Sequence, residues 1–160
     1  MTNAGLEHSL GARGIALHRT PVGDRHVEEA LRKHGLHVGA EPSGHVCFDD
    51  GLPTADGALT ALRVLVGGLD LDARLQGYRP WPSLLRNLRV ARRPPLDAPG
   101  PLADARREAE LAVTPGGRVI LRYSGTEPRL RVLVEGPDEA IVAAVSSTLV
   151  STLERLTGEP

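Results

Sequence analysis

Two apolar runs near the end of the chain, Val119-Ile120-Leu121-Arg122-Tyr123 and Leu130-Arg131-Val132-Leu133-Val134-Glu135, restrict the fold more than any other feature. Only Ser124 to Arg129 separate them, which suits a hairpin and is too short for a crossover helix. Gly136-Pro137-Asp138-Glu139 then opens a helix, with acids where the helix dipole favours them. Its apolar stripe is Ile141, Val142, Val145, Leu149, Leu153 and Leu156. Strand, loop, strand and helix make an α+β unit, an antiparallel sheet with helices packed on it. Aromatic residues are only 2% of the 160, so Leu, Val, Ala and Ile must build the core. The same poverty removes the stacking platforms that single-stranded nucleic acid needs.

The first half reads as α/β, a partial domain with a mixed sheet and helices. Ile15 to Arg19 is a strand candidate, and Val27, Ala30, Leu31 and His34 follow at helical spacing until Gly35 ends the helix. Leu36 to Gly39 and Val46 to Phe48 are further strand candidates. Thr54 suits a helix N-cap, ahead of a stripe of Ala58, Leu59, Leu62, Leu65, Val66 and Leu69. A short helix is expected around Leu71 to Leu75. Gly77 to Pro82 gathers glycine, two prolines and the only tryptophan, which sets the expected domains at residues 1–78 and 79–160. In the second, Ser83 to Ala91 reads as a strand and Ala103 to Leu111 as a helix.

Charge and cysteine usage narrow the function. The formal charge is 19 − 20 = −1, so no global field favours nucleic acid or an anionic membrane. The basic run Arg86, Arg89, Arg92 and Arg93 reads as a solvated strand face rather than a nucleic-acid footprint. A single cysteine, Cys47, excludes an internal disulfide and fits a reducing compartment, the cytoplasm by default. No 18-residue apolar run spans a membrane, and residues 1–7 lack the pattern of a signal peptide. The six histidines show no metal-ligand spacing, and Asp49-Asp50 lacks the repeated acids of a calcium or magnesium loop, so no metal is expected.

Two loops carry chemistry. The decapeptide Arg122 to Arg131 sets Arg122, Ser124, Thr126 and Arg131 around Gly125. A phosphate dianion takes guanidinium groups, short hydroxyl donors and amides brought close by a glycine. A plain hairpin built from turn formers fits the same residues. Glu41, Ser43 and His45 alternate across Gly44, and alternate polar side chains on a tight turn can bond the hydroxyls of a sugar; taken without context, a solvated turn is the better reading of the same residues.

Together these loops resemble the α-D-phosphohexomutase family, in its phosphoglucosamine mutase branch. Arg122-Tyr123-Ser124-Gly125-Thr126-Glu127-Pro128 with Arg131-Val132 is similar to the phosphate-binding signature of the family's last domain. Gly39-Ala40-Glu41-Pro42-Ser43-Gly44-His45 is similar to the sugar loop of its third domain. Val22 to Val27, which adds Asp24 and Arg25 as site candidates, and Thr54-Ala55-Asp56-Gly57 resemble flanking segments of the same branch. The resemblance implies most of domain 3 followed by domain 4 of a four-domain isomerase. Such an enzyme interconverts glucosamine 6-phosphate and glucosamine 1-phosphate, or mannose or glucose phosphates in related branches. It works through a phosphoserine and a bisphosphate intermediate, with magnesium on an aspartate cluster. By the same resemblance Arg122, Ser124, Gly125, Thr126 and Arg131 hold the phosphate that is not transferred, and Glu41, Ser43 and His45 hold the sugar. Neither the phosphoserine loop nor the aspartate cluster has a counterpart here, and Pro42 and Ala55 depart from the usual residues. Phosphoryl transfer is therefore expected only with a polypeptide carrying domains 1 and 2. A phosphosugar-binding module or an inactive remnant is the alternative.

Overall fold

The computed structural model of the chain describes residues 2–49, 55–67 and 78–158. Its elements are α1 (Ala4–Gly11), α2 (Asp24–His34), β1 (Val38–Ala40), β2 (Val46–Phe48), α3 (Gly57–Val66), β3 (Ser83–Arg89), α4 (Pro101–Ala112), β4 (Arg118–Tyr123), β5 (Arg129–Glu135) and α5 (Glu139–Thr157). They gather into two compact units, Met1–Thr2 with Ser9–Tyr78, and Asn3–His8 with Arg79–Pro160. The architecture is mixed α and β, with two small antiparallel sheets and helices. None of the described helices is long and apolar enough to cross a membrane.

In the first unit, β1 and β2 form an antiparallel hairpin in register Val38↔Phe48, Gly39↔Cys47 and Ala40↔Val46. Helix α2 packs on it, burying Val27 and Leu31 against Cys47. The missing side chain of Gly39 permits that approach, since a Cβ there would stand 2.3 Å from Val27 Cγ1. Gly35 closes α2 by donating its N–H to the Leu31 carbonyl. Ile15 to Arg19, expected as a strand, is irregular, because no described segment pairs with it and a strand needs a ladder. Helix α3 starts at Asp56, whose Oδ1 accepts the N–H groups of Ala58 (2.8 Å) and Leu59 (3.0 Å). Thr54, the expected cap, lies outside the described residues, as do Leu69 and the helix expected at 71–75. The expected stripe forms, yet no residue of α3 is buried among the described residues, and Leu62, Leu65 and Val66 stand open.

Burial also fixes the chemistry of Cys47. Desolvation pushes its thiol up from its ordinary value, helped by the carboxylates of Glu28, Asp24 and Glu41. A maleimide should label native Cys47 at least about tenfold more slowly than the urea-unfolded chain at neutral pH. Equal rates would show that the thiol is accessible.

The second unit is a three-stranded antiparallel sheet, ordered β3-β5-β4, with α4 and α5 on one face. Alternation sorts its side chains. Val119↔Val134, Leu121↔Val132 and Tyr123↔Leu130 face the helices and meet Leu102 and Ala109 of α4 and Val142, Leu149 and Leu153 of α5. The alternate set, Arg118↔Glu135, Ile120↔Leu133 and Arg122↔Arg131, lies on the other face. Helix α5 opens at Asp138, whose Oδ1 accepts the Ile141 N–H at 3.0 Å. Inside it, Ser146 is buried with no partner for its hydroxyl among the described residues. Ser146→Ala should therefore raise the stability of this unit, by about 1 kcal/mol in urea unfolding. A loss would reveal a hydrogen bond the hydroxyl makes.

Helix α1 has no apolar stripe and carries a glycine in its first turn, so periodicity does not announce it. Asn3 starts it, its Oδ1 accepting the Gly5 N–H (2.8 Å) and the Trp81 N–H (2.9 Å) while Nδ2 donates to the Trp81 carbonyl (3.0 Å). The Glu135 carboxylate, on β5, accepts the buried Ala4 N–H at 3.2 Å, the Ser83 hydroxyl at 3.2 Å and Arg118 Nε at 2.5 Å. A carboxylate at a helix N-terminus is favoured by the dipole and satisfies an otherwise unpaired amide. Asn3 to His8 is thereby fastened to the sheet of the second unit.

Candidate functional site

Each unit presents one of the loops marked by the sequence. Between β1 and β2 the Glu41 N–H donates to the His45 carbonyl (2.8 Å) and the Gly44 N–H to the Glu41 carbonyl (3.0 Å). Gly44 sits at φ 96°, a conformation that side chains other than glycine rarely adopt. The turn brings Glu41, Ser43 and His45 together. Ser43 Oγ lies 2.8 Å from His45 Nδ1, and Glu41 Oε2 lies 4.0 Å from the same nitrogen. Both neighbours meet Nδ1, so this is not a nucleophile triad, which uses one ring nitrogen for the serine and the other for the carboxylate. Ser43 and His45 are exposed, while Glu41 is mostly enclosed and its Oε1 accepts the Gly23 N–H at 2.8 Å. One carboxylate oxygen therefore anchors the turn to the start of α2. At the start of α2, Asp24 Oδ1 accepts the Arg25 N–H (2.8 Å), and Arg25 Nε meets Glu29 at 3.2 Å on the open helix surface.

The second loop joins β4 to β5. The Ser124 N–H donates to the Arg129 carbonyl (2.8 Å), the Arg129 N–H to the Glu127 carbonyl (2.7 Å), and the Glu127 N–H to Ser124 Oγ (3.3 Å). Ser124 is buried with its hydroxyl proton left to donate, whereas Gly125 and Thr126 are exposed at the arch. Among the described residues, its two chain neighbours aside, nothing stands within 4 Å of where a Gly125 Cβ would be, so a ligand can approach the backbone there.

Directly below the loop, Arg122 and Arg131 are cross-strand partners on the open face, both exposed, and neither meets a carboxylate among the described residues. Directly opposite side chains have Cβ atoms about 5 Å apart, and like charges at that spacing repel. An anion between them removes the repulsion. Asn87 of β3 pairs with Arg131 from the other side, so the row reads Asn87, Arg131, Arg122 across the sheet. Sequence reasoning did not single out Asn87, because register rather than local pattern places it there.

The basic run divides. Arg86, opposite Val132, and Arg89, opposite Arg129, lie on opposite faces, which corrects the expectation of one solvated strand face. Arg93, beyond the strand, donates from Nη2 to the Glu127 carbonyl at 2.6 Å. Tyr123 bonds the Pro94 carbonyl at 2.8 Å; burial pushes its hydroxyl up from its ordinary value, and Arg93 opposes the shift. His37 stands 3.5 Å from Asp49; Asp50 lies outside the described residues. Among the described residues no three of His, Cys, Asp and Glu stand together as metal ligands.

Comparison with known proteins joins the two loops. Residues 1–67 match the family model for phosphoglucomutase/phosphomannomutase, alpha/beta/alpha domain III, and residues 85–151 match the phosphoglucomutase/phosphomannomutase C-terminal domain. The phosphoglucosamine mutase of Rhodospirillum centenum is 44% identical over 164 residues, covering 98% of this chain and 34% of that protein. That of Agrobacterium fabrum is 42% identical over 157 residues, covering 96% of this chain and 35% of its own length. The chain thus spans about a third of the length of the curated relatives it matches. Among solved structures, Aspergillus fumigatus N-acetylphosphoglucosamine mutase in complex with GlcNAc-6P and magnesium superposes with a TM-score of 0.70 at 18% identity, over 95% of this chain and 36% of that one. A Burkholderia thailandensis phosphoglucomutase/phosphomannomutase family protein gives 0.63 at 23%, over 94% and 35%.

Proposed function

Since the chain belongs to the phosphohexomutase family and carries its domain III and C-terminal regions, we propose that it is the substrate-holding part of a phosphoglucosamine mutase. The observation that carries this reading is the cross-strand pair Arg122 and Arg131, two exposed guanidinium groups that meet no carboxylate among the described residues, beneath a loop with an open backbone. Arg122 and Arg131 take phosphate oxygens through charge-assisted bonds. The Ser124 and Thr126 hydroxyls and the backbone at Gly125 complete the cradle. Ser43, His45 and the second carboxylate oxygen of Glu41, the one beside His45, hold sugar hydroxyls, donating and accepting as the sugar's orientation requires.

Gripping the phosphate that stays sets the other end of the sugar in line for transfer, a proximity contribution. The transfer itself is assigned to domains I and II, on a longer chain or a partner polypeptide. Bound magnesium would supply charge neutralisation on the transferring group, but the described residues offer it no ligand cluster, so it has no step here. The single cysteine suits a cytoplasmic setting. The test is calorimetric titration of the chain with glucosamine 6-phosphate, beside glucosamine and inorganic phosphate. Saturable binding of the phosphosugar, weaker binding of phosphate and none of the amine is expected. A folded chain that binds no phosphorylated ligand would overturn the reading.

A further inference from the structure

The phosphate loop is held from outside as well as by its own bonds. Segment 90–94, just past β3, makes three ties to it. The Val90 N–H donates to the Pro128 carbonyl (3.0 Å), Arg93 Nη2 to the Glu127 carbonyl (2.6 Å), and the Tyr123 hydroxyl to the Pro94 carbonyl (2.8 Å). The Arg93 guanidinium also lies 5.9 Å from the centroid of the Tyr123 ring, within range of a cation–π contact. The Arg93 guanidinium therefore meets the loop at two points, an aromatic ring at its base and a carbonyl near its far end.

The Glu127 carbonyl is the acceptor on which the loop turns, since it also receives the Arg129 N–H at 2.7 Å. Its peptide continues into Pro128, which has no N–H. The Arg93 bond consequently polarises no amide that could reach a ligand; what it does is place the chain. Glu127 in turn donates its N–H to Ser124 Oγ, so the position of residue 127 sets where the Ser124 hydroxyl sits. A loop already ordered before binding loses less entropy when the ligand arrives.

We propose that Arg93 is a positioning residue of the phosphate loop, holding residues 124–129 in their anion-receiving shape through the Glu127 carbonyl. The inference rests on the phosphate reading of that loop and adds a residue outside the family-like signature. Arg93 is exposed, so its loss leaves the core of the unit intact.

The experiment compares the full chain with Arg93→Ala and Arg93→Lys in two measurements. The first is amide hydrogen exchange without any anion, at the bonded amides of Ser124, Glu127 and Arg129 and along β4 and β5. The second is titration with inorganic phosphate. In Arg93→Ala the three loop amides should exchange about tenfold faster, with the strand amides unchanged, and phosphate should bind about tenfold more weakly. Arg93→Lys, which keeps a charged donor, should recover most of both. Weaker binding with unchanged loop exchange would overturn the proposal, because Arg93 would then act on the ligand directly. Faster exchange with unchanged affinity would overturn it too. If the parent chain binds no phosphate the functional reading fails, and unaltered exchange in Arg93→Ala would separately remove the positioning role.

Discussion

Arg122→Ala should bind glucosamine 6-phosphate about 30- to 150-fold more weakly than the parent chain while unfolding no more easily. The two effects have one source. In the empty loop Arg122 faces Arg131 across the strands, so deleting one guanidinium relieves repulsion and costs the fold nothing. In the occupied loop the same deletion removes charge-assisted bonds to the phosphate, a loss of about 2–3 kcal/mol. Calorimetry reads the first quantity and urea unfolding the second. A variant that lost binding and stability in parallel would place Arg122 in the scaffold. A variant that bound normally would move the phosphate elsewhere.

The largest effect on stability is expected at Glu135. Its side chain is 4% exposed and its carboxylate serves Arg118, Ser83 and the first turn of α1 at once. Removing one member of a buried ion pair typically costs about 3–5 kcal/mol, because the remaining polar groups stay desolvated. Glu135→Ala should therefore lower the melting temperature of the second unit by roughly 12–40 °C. Glu135→Gln, which keeps an acceptor for the Ala4 amide, should lose less. The Ala variant should also release Asn3 to His8, seen as rapid exchange of the Gly5 amide. A loss under about 1 kcal/mol, the worth of a surface pair, would show that the carboxylate is hydrated.

Legibility in the sequence followed how local each determinant is. Strands β4 and β5 and helix α5 were readable because alternation, a helical stripe and an acidic cap all lie within a few residues of one another. The connection from Ser124 to Pro128 was readable as a hairpin loop on the same ground. Ile15 to Arg19 misled because an apolar run states a propensity, and a strand exists only where a ladder partner does. Helix α1 was invisible because its start depends on Glu135, more than a hundred residues away. Asn87 and Arg93 escaped for the same reason: a cross-strand register sets one, and a bond spanning 34 positions sets the other.

The bonds of Asn3 bear on how the sheet keeps to itself. Pro82 and Val90 spend their polar backbone groups on the β5 side, through Gly136 and Pro128, so alternation turns Trp81 and Ala91 the other way, toward the edge that no described strand pairs. At Trp81 the Asn3 carboxamide gives and takes the two bonds a neighbouring strand would make. At Ala91 the Thr157 carbonyl, at the end of α5, accepts the N–H at 2.9 Å. The edge is stoppered at both ends, and an incoming strand could add only along the short, arginine-bearing stretch between them, a pattern that discourages edge-to-edge aggregation.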